Sequence, residues 1–191
     1  METVDWIKNY IEHQKNVLDS LPTNVVSECI DSIRGKYLKG KRIFVFGNGG
    51  SASNASHFAT DLGKSSSDNM RNKFNILSLN DNISWITAIA NDYNYSDIYQ
   101  KQLENYGFPG DLVITLSVSG NSPNVVNACR WAKENGLEVM AFVGKNGGIL
   151  AELADKFIVV NSRHYGRAED CQMTICHLIC YAFVELDHLK A

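Results

Sequence analysis

Short apolar runs alternate along most of the chain with segments in which apolar residues recur every three or four positions. Each run predicts a buried strand, and each periodic segment predicts a helix, the last of them over residues 168–189. The runs occupy residues 43–46, 74–79, 112–116, 139–143 and 157–160. This alternation predicts an α/β fold, a three-layer αβα sandwich in which helices cover both faces of a five-stranded parallel sheet.

Two further helices precede the first strand. Apolar residues recur at helical spacing on both sides of an interruption at Pro22, and Gly40 ends the second periodic segment. The pattern predicts an N-terminal helical hairpin over residues 1–40, followed by the α/β core over residues 41–191. With 191 residues, 45% of them hydrophobic, the chain can bury one substantial core. We therefore expect a single domain.

Charge and cysteine content narrow the class of protein. A net charge of −3 without a basic cluster argues against nucleic-acid and membrane partners and favours a small molecule. The sequence shows no run of about 18 apolar residues and no basic start followed by an apolar core. Five cysteines without a CxxC pair are typical of free thiols in a reducing compartment. These features predict a cytoplasmic location.

A glycine-rich turn follows the first strand of the core. Gly47, Asn48, Gly49 and Gly50 separate that strand from a helix that starts near Ser51. A helix N-terminus offers free backbone N–H groups and the positive end of the helix dipole, which favour an anion. We expect phosphate here.

A second loop of small polar residues follows the third strand. It contains Ser117, Ser119 and Ser122, and Pro123 suits the first turn of the next helix. In a doubly wound sheet, such loops meet at the carboxyl edge where the strand order reverses, and together they suit a phosphomonoester. Either loop alone could equally be a simple tight turn.

The glycine turn also fits a loose dinucleotide fingerprint, with small residues at 47, 49 and 52. The acidic residue expected after the next strand could be Asp81. That alternative gives the serine loop no role, so we expect no nucleotide cofactor.

Four side chains could carry chemistry. His57 and Asp61 are four residues apart on one helix, and Glu169 and His177 are about two turns apart on the last helix. Two imidazoles and two carboxylates could bind a divalent metal such as zinc or divide acid and base roles. The alternative for His177, on a largely apolar helix, is a hydrogen-bonded core residue.

Four stretches in the same order carry a family resemblance: GNGGSASNASHFATD, ANDYNYSDIY, SVSGNSPNV and RAEDCQMTICHLI. Together they resemble the sugar-isomerase (SIS) domain family and, within it, the phosphoheptose isomerases. The resemblance implies a five-stranded flavodoxin-like or Rossmann-like sheet and a homotetramer with active sites at subunit interfaces. It implies conversion of sedoheptulose 7-phosphate into a heptose 7-phosphate, and in some members a bound zinc. The alternatives are a non-catalytic SIS module that binds a sugar phosphate or a partner protein, and an isomerase for a different ketose phosphate.

The resemblance also implies roles for individual residues. The substrate and its phosphate are assigned to Asn48, Gly49, Ser51, Asp92, Ser117, Ser119 and Ser122. Catalysis is assigned to Asp61 and His177, and zinc to His57, Asp61, Glu169 and His177. Two positions depart from the family pattern, which usually has glutamate where this chain has Asp61 and often glutamine where it has Glu169. Lys64 could replace a family arginine near the phosphate.

Overall fold

A computed structural model describes residues 1–190 and opens with the expected hairpin, helices α1 (Thr3–Asp19) and α2 (Thr23–Leu38). Five strands follow: β1 (Arg42–Gly47), β2 (Asn75–Ser78), β3 (Leu112–Ser117), β4 (Glu138–Val143) and β5 (Lys156–Val159). The remaining α-helices are α3 (Gly50–Thr60), α4 (Ile83–Asp92), α5 (Gln100–Tyr106), α6 (Pro123–Glu134), α7 (Gly148–Leu153) and α8 (Tyr165–Glu185). None of the helices in the described part of the chain combines the length and apolar composition needed to cross a membrane.

All strands of the sheet are parallel, in the order β2-β1-β3-β4-β5. The central strands β1, β3 and β4 are almost entirely buried, as continuous apolar runs predict for strands covered on both faces. The predicted five-stranded parallel sheet is confirmed. The order reverses between β1 and β3, so the loops after these two strands lie side by side at the carboxyl edge.

Helices cover both faces of the sheet. Alternate residues of β1 belong to two separate cores: Ile43 and Val45 face α1, α2, α3 and α8, whereas Phe44 and Phe46 face α4 to α7. The αβα sandwich is therefore confirmed. The N-terminal hairpin packs on the first core, where Cys29 and Ile33 of α2 are fully buried.

Helix boundaries differ from the sequence prediction at two places. Helix α8 begins at Tyr165 because the His164 side chain caps it, accepting a hydrogen bond from the Arg167 backbone N–H. It ends at Glu185, and a 3₁₀ turn, Asp187–Leu189, follows.

The second difference follows α3, where the polar residues 64–69 predict an irregular connection between the helix and the second strand. The chain instead continues as a π-helical turn, Asp61–Ser66, and a 3₁₀ turn, Ser67–Asn69. The buried Ser66 and Ser67 hydroxyls donate to the carbonyls of Cys180 and Leu62, at 3.0 and 3.1 Å. These hydrogen bonds satisfy polar groups that the pattern alone would place in water.

Two glycines should respond to alanine in opposite ways. A Cβ on Gly47 would lie 2.6 Å from the Leu116 carbonyl oxygen, so Gly47→Ala should lower the free energy of unfolding by about 1–3 kcal/mol. Gly35 lies inside α2, and a Cβ there would meet no atom within 4 Å. Gly35→Ala should therefore raise that free energy by about 0.5–1 kcal/mol. Urea denaturation of both variants tests the contrast, and a Gly47→Ala protein as stable as wild type would contradict it.

Candidate active site

The two loops at the switch point are joined by a pair of side-chain amides. Asn48 of the glycine turn donates through Nδ2 to Oδ1 of Asn124 at 2.9 Å, and Asn124 donates back to Oδ1 of Asn48 at 2.8 Å. Asn124 is buried in the first turn of α6. This reciprocal pair fixes the glycine turn relative to the start of α6.

Two further residues, Asn80 and Tyr99, also hold the glycine turn in place. Asn80 accepts from the Gly47 N–H at 3.2 Å and donates to the Gly47 carbonyl at 2.9 Å. The Tyr99 hydroxyl donates to the same carbonyl. Burial raises the pKa of Tyr99 far above its ordinary value, so the phenol stays protonated and available as a donor. Gly49 adopts a left-handed backbone with φ of 57°, which favours glycine.

The N-terminus of α3 already has an anionic neighbour. The Glu169 carboxylate lies directly over Gly50, where an added Cβ would fall 2.4 to 2.5 Å from its three carboxyl atoms. Burial and the charge of Asp170 raise the pKa of Glu169, while a hydrogen bond from the Ser51 backbone N–H acts in the opposite direction. The Ser51 hydroxyl is buried and donates to Oε1 of Gln172 at 3.0 Å. Both donors of Ser51, its hydroxyl and its backbone N–H, are thus engaged within the protein.

The serine loop after β3 is more open. The buried Ser117 hydroxyl accepts from the Gly120 N–H, and the partly exposed Ser119 hydroxyl accepts from the Asn121 N–H, both at 3.2 Å. Ser122 is the N-cap residue of α6, yet within the described chain its side chain makes no capping hydrogen bond. Both exposed hydroxyls can therefore point a proton toward a ligand.

The shape of the serine loop depends on a close approach to the loop before α7. Gly120 has a φ of 66°, and a Cβ there would fall 1.9 Å from the Gly147 carbonyl oxygen. A Cβ on Gly148 would in turn fall 2.6 Å from the carbonyl oxygens of Ser119 and Gly120. These contacts fix the Ser119 backbone next to α7.

The structure brings His57, Asp61 and His177 together. Oδ2 of Asp61 lies 3.2 Å from Nε2 of His57 and 3.5 Å from Nε2 of His177. The two imidazole Nε2 atoms are 3.5 Å apart. His57 is carried by α3, Asp61 begins the π-helical turn, and His177 lies on α8. The three side chains are 51%, 20% and 42% exposed, so a ligand can reach them.

This donor set fits a zinc ion. Four ligand atoms at about 2.0–2.1 Å from a tetrahedral zinc lie roughly 3.3–3.4 Å from one another. The three distances between Nε2, Oδ2 and Nε2, 3.2 to 3.5 Å, bracket that value. Two imidazoles and one carboxylate are also a donor set that catalytic zinc sites use, with a position left open.

The remaining predicted residues lie apart from these three. Glu169 precedes His177 by eight residues, about 12 Å along α8, and its carboxylate faces Gly50. Asp92 is exposed at the end of α4 and accepts a hydrogen bond from Asn91 at 2.8 Å. Lys64 is exposed and pairs with Asp68 at 3.4 Å.

Sequence reasoning missed four polar residues that support the site: Asn80, Tyr99, Asn124 and Gln172. Gln172 is fully buried and donates to the Phe142 carbonyl of β4 at 2.9 Å. A signal was present for Asn124, since it follows Pro123 in the first turn of a predicted helix at the serine loop. Asn80, Tyr99 and Gln172 form hydrogen bonds with residues that are distant in the sequence, so no local pattern indicates them.

Comparison with known proteins places the chain in a family. Residues 5–144 match the SIS domain. The protein belongs to the SIS domain family. The resemblance seen in the sequence is thereby confirmed.

Named relatives match this SIS protein over most of their length. It is 36% identical over 174 residues to the probable phosphoheptose isomerase of Thermoplasma acidophilum, covering 91% of this chain and 94% of the relative. It is 38% identical over 175 residues to the phosphoheptose isomerase of Sulfurimonas denitrificans, covering 91% and 86%. The solved phosphoheptose isomerase of Francisella tularensis superposes with a TM-score of 0.86 at 25% identity, covering 97% of this chain and 100% of that one.

The Asn48–Asn124 pair gives a test of how the loops are held. Asn124→Ala should lower the free energy of unfolding by about 1–3 kcal/mol, because it leaves a partly buried Asn48 amide without its partner. Asn127→Ala on the same helix removes only a 3.4 Å contact to the Ser96 carbonyl and should cost less. Thermal and urea unfolding of both variants provide the comparison. Equal losses of stability would show that the amide pair has no special role.

Proposed function

We propose that this SIS protein is a sugar-phosphate isomerase that converts sedoheptulose 7-phosphate into D-glycero-D-manno-heptose 7-phosphate. The observation that carries the proposal is the group His57, Asp61 and His177, whose polar atoms lie within 3.5 Å of each other at an open site. Relatives that are named phosphoheptose isomerases and align with nine-tenths of the chain support the same reaction.

The substrate phosphate binds at the serine loop. Ser119 and Ser122 supply hydroxyl donors, and the N-terminus of α6 adds its dipole. Ser117 and Ser51 are buried and act mainly by shaping the loops. Asn48 and Gly49, in the glycine turn, line one side of the substrate site. Asp92 contacts sugar hydroxyls, an assignment that rests on the resemblance.

Aldose–ketose isomerisation moves one proton between neighbouring carbons through a cis-enediol. A base removes the proton from the carbon beside the carbonyl while an acid protonates the carbonyl oxygen, and the reverse steps restore a carbonyl at the neighbouring carbon. Asp61 and His177 perform these proton transfers. Both imidazoles face Oδ2 of Asp61, so Oδ1 is the carboxylate oxygen left for the substrate proton.

Zinc is the proposed metal, and His57, Asp61 and His177 would hold it. When bound, it would act as a Lewis acid that polarises the substrate oxygens. Glu169 is proposed as the further ligand from the resemblance, although its carboxylate faces Gly50. An imidazole nitrogen that ligates a metal cannot accept a proton at the same time, so Nε2 of His177 transfers a proton only when it is not bound to zinc, whereas Oδ1 of Asp61 stays available in both cases.

The proposal includes a homotetrameric assembly and a cytoplasmic location. A homotetramer with active sites at subunit interfaces accounts for the exposed apolar residues of α1, which include Val4, Trp6, Ile7 and Ile11. All five cysteines are free and buried, as in proteins of a reducing compartment such as the cytoplasm.

Isomerase activity can be tested directly. Purified protein incubated with sedoheptulose 7-phosphate in deuterated water should form the heptose 7-phosphate and incorporate deuterium at the carbon that exchanges its proton. His177→Ala should abolish both, because one proton-transfer group is lost. The test uses mass spectrometry and NMR of the sugar. If wild type gives neither product nor exchange but binds the sugar phosphate, the protein is a non-catalytic binding module, and other ketose phosphates would test a changed substrate.

The serine loop gives a second test. Ser119→Ala and Ser122→Ala should each weaken substrate binding by about 1.5–3 kcal/mol, since each removes a hydrogen bond to a charged phosphate. The fold should persist because both side chains are partly exposed. Calorimetric titration measures affinity, and Ser117→Ala serves as a buried comparison. Unchanged affinity in both loop variants would place the phosphate elsewhere, and NAD binding in the same experiment would favour a dinucleotide site.

The metal proposal predicts bound zinc in protein purified without chelator. His57→Ala should lose it, because one of three clustered ligand atoms is removed. If the Glu169 carboxylate is a zinc ligand, Glu169→Gln should bind zinc more weakly than wild type. If the carboxylate stays over Gly50, the variant should bind zinc as firmly as wild type. Elemental analysis and zinc titration provide the readout. Metal-free wild type that ignores added zinc and isomerises its substrate at full rate with chelator present would contradict the proposal.

A further inference from the structure

A basic cleft lies at the N-terminal end of α8. Its volume is about 630 Å³, and it opens between α1 and the loop that joins β5 to α8. Five of its nine lining residues have basic side chains: His13, Lys145, Arg163, His164 and Arg167. None of the nine is acidic. We call this cavity, with its five basic residues, the basic cleft.

The permanent cations of the basic cleft lack counter-charges. Within residues 1–190, Lys145, Arg163 and Arg167 take part in no ion pair; most lysines of the described chain do, whereas its arginines do not. Three uncompensated positive charges around one cavity repel each other, and the chain as a whole is negative. An anion in the cavity would remove that repulsion.

Two of the five side chains are held in place by the protein. The Arg167 guanidinium lies 4.7 Å from the centre of the Tyr10 ring, and its Nε is buried without a hydrogen-bond partner in the described chain. Nδ1 of His164 accepts from the Arg167 backbone N–H at 3.4 Å. A neutral His164 therefore carries its proton on Nε2 and presents a donor. The cleft thus has oriented donors as well as charge.

The basic cleft is distinct from the sites described above. Arg167 precedes His177 by ten residues, about 15 Å along α8. Lys145 lies in the loop after β4, which contacts the serine loop through Gly147 and Gly148, but none of the nine residues that line the cleft belongs to the serine loop. A ligand in the cleft would leave the serine loop free for substrate.

We propose that the basic cleft binds a second phosphorylated small molecule through its phosphate. Guanidinium and ammonium groups are the side chains that bind phosphate most strongly, and arginine donates to two oxygens at once. The volume lies within the range of small-molecule sites. The N-terminus of α8, which begins at Tyr165, adds to the positive potential.

The experiment uses pyrophosphate as the probe, with chelator present, on the full chain carrying Ser119→Ala and Ser122→Ala. Calorimetric titration should still detect binding, because the cleft is intact. Adding Lys145→Gln and Arg163→Gln should weaken it at least tenfold. Both residues are exposed, so the fold should persist, which circular dichroism checks.

A matched control separates the cleft from overall charge. Lys39→Gln with Arg130→Gln removes two exposed, unpaired cations elsewhere and should leave pyrophosphate affinity almost unchanged. ADP and sedoheptulose 7-phosphate in the same titrations then distinguish a nucleotide from a sugar phosphate. No pyrophosphate binding in the serine variant, or equal affinities in the cleft and control variants, would overturn the proposal. Neither result depends on isomerase activity.

Discussion

The candidate active site depends on the packing of α3 against α8. The two helices run in the same direction and meet at three successive levels. Glu169 lies over Gly50 at the first, Gln172 accepts from Ser51 at the second, and His177 reaches His57 and Asp61 at the third. The middle level is buried, and Gln172 also donates to the Phe142 carbonyl of β4. Because a buried amide must keep its partners, Gln172 fixes both helices to the sheet and sets the distance between the two imidazoles.

Glu169 changes how the glycine turn can handle an anion. A helix N-terminus carries roughly half a positive charge, which one carboxylate largely satisfies. Phosphate beside the Glu169 carboxylate would bring two negative groups together at the same helix end. Within residues 1–190, the first turn of α6 contains no acidic residue, and the Ser122 hydroxyl there makes no capping hydrogen bond. The electrostatics therefore favour phosphate at the serine loop. The glycine turn then forms one side of the site, and the Asn48–Asn124 pair fixes its position.

The strands and both loops could be predicted from the sequence because their signals are local. Apolar runs such as 112–116 and glycine at a strand end are visible within a few residues. The close approach of His57 and Asp61 also follows from helical spacing alone. The place of Glu169 could not be predicted, because it depends on how residues more than a hundred positions apart pack. The same holds for Gln172, whose partner Ser51 lies 121 residues away. The position of Asn124 beside Pro123 was a signal, but its partner Asn48, 76 residues away, could not be predicted.

The shortened acid at position 61 is compatible with this geometry. Aspartate lacks one methylene relative to the glutamate that the family resemblance implies at this position, so its carboxylate stays nearer the backbone. In this protein Asp61 starts a π-helical turn, a type of distortion that is frequent at functional sites. Its Oδ2 nevertheless reaches both imidazoles at 3.2 and 3.5 Å. A short side chain has fewer rotamers to lose, so Asp61 holds the carboxylate at the imidazoles at a lower entropic cost than glutamate would.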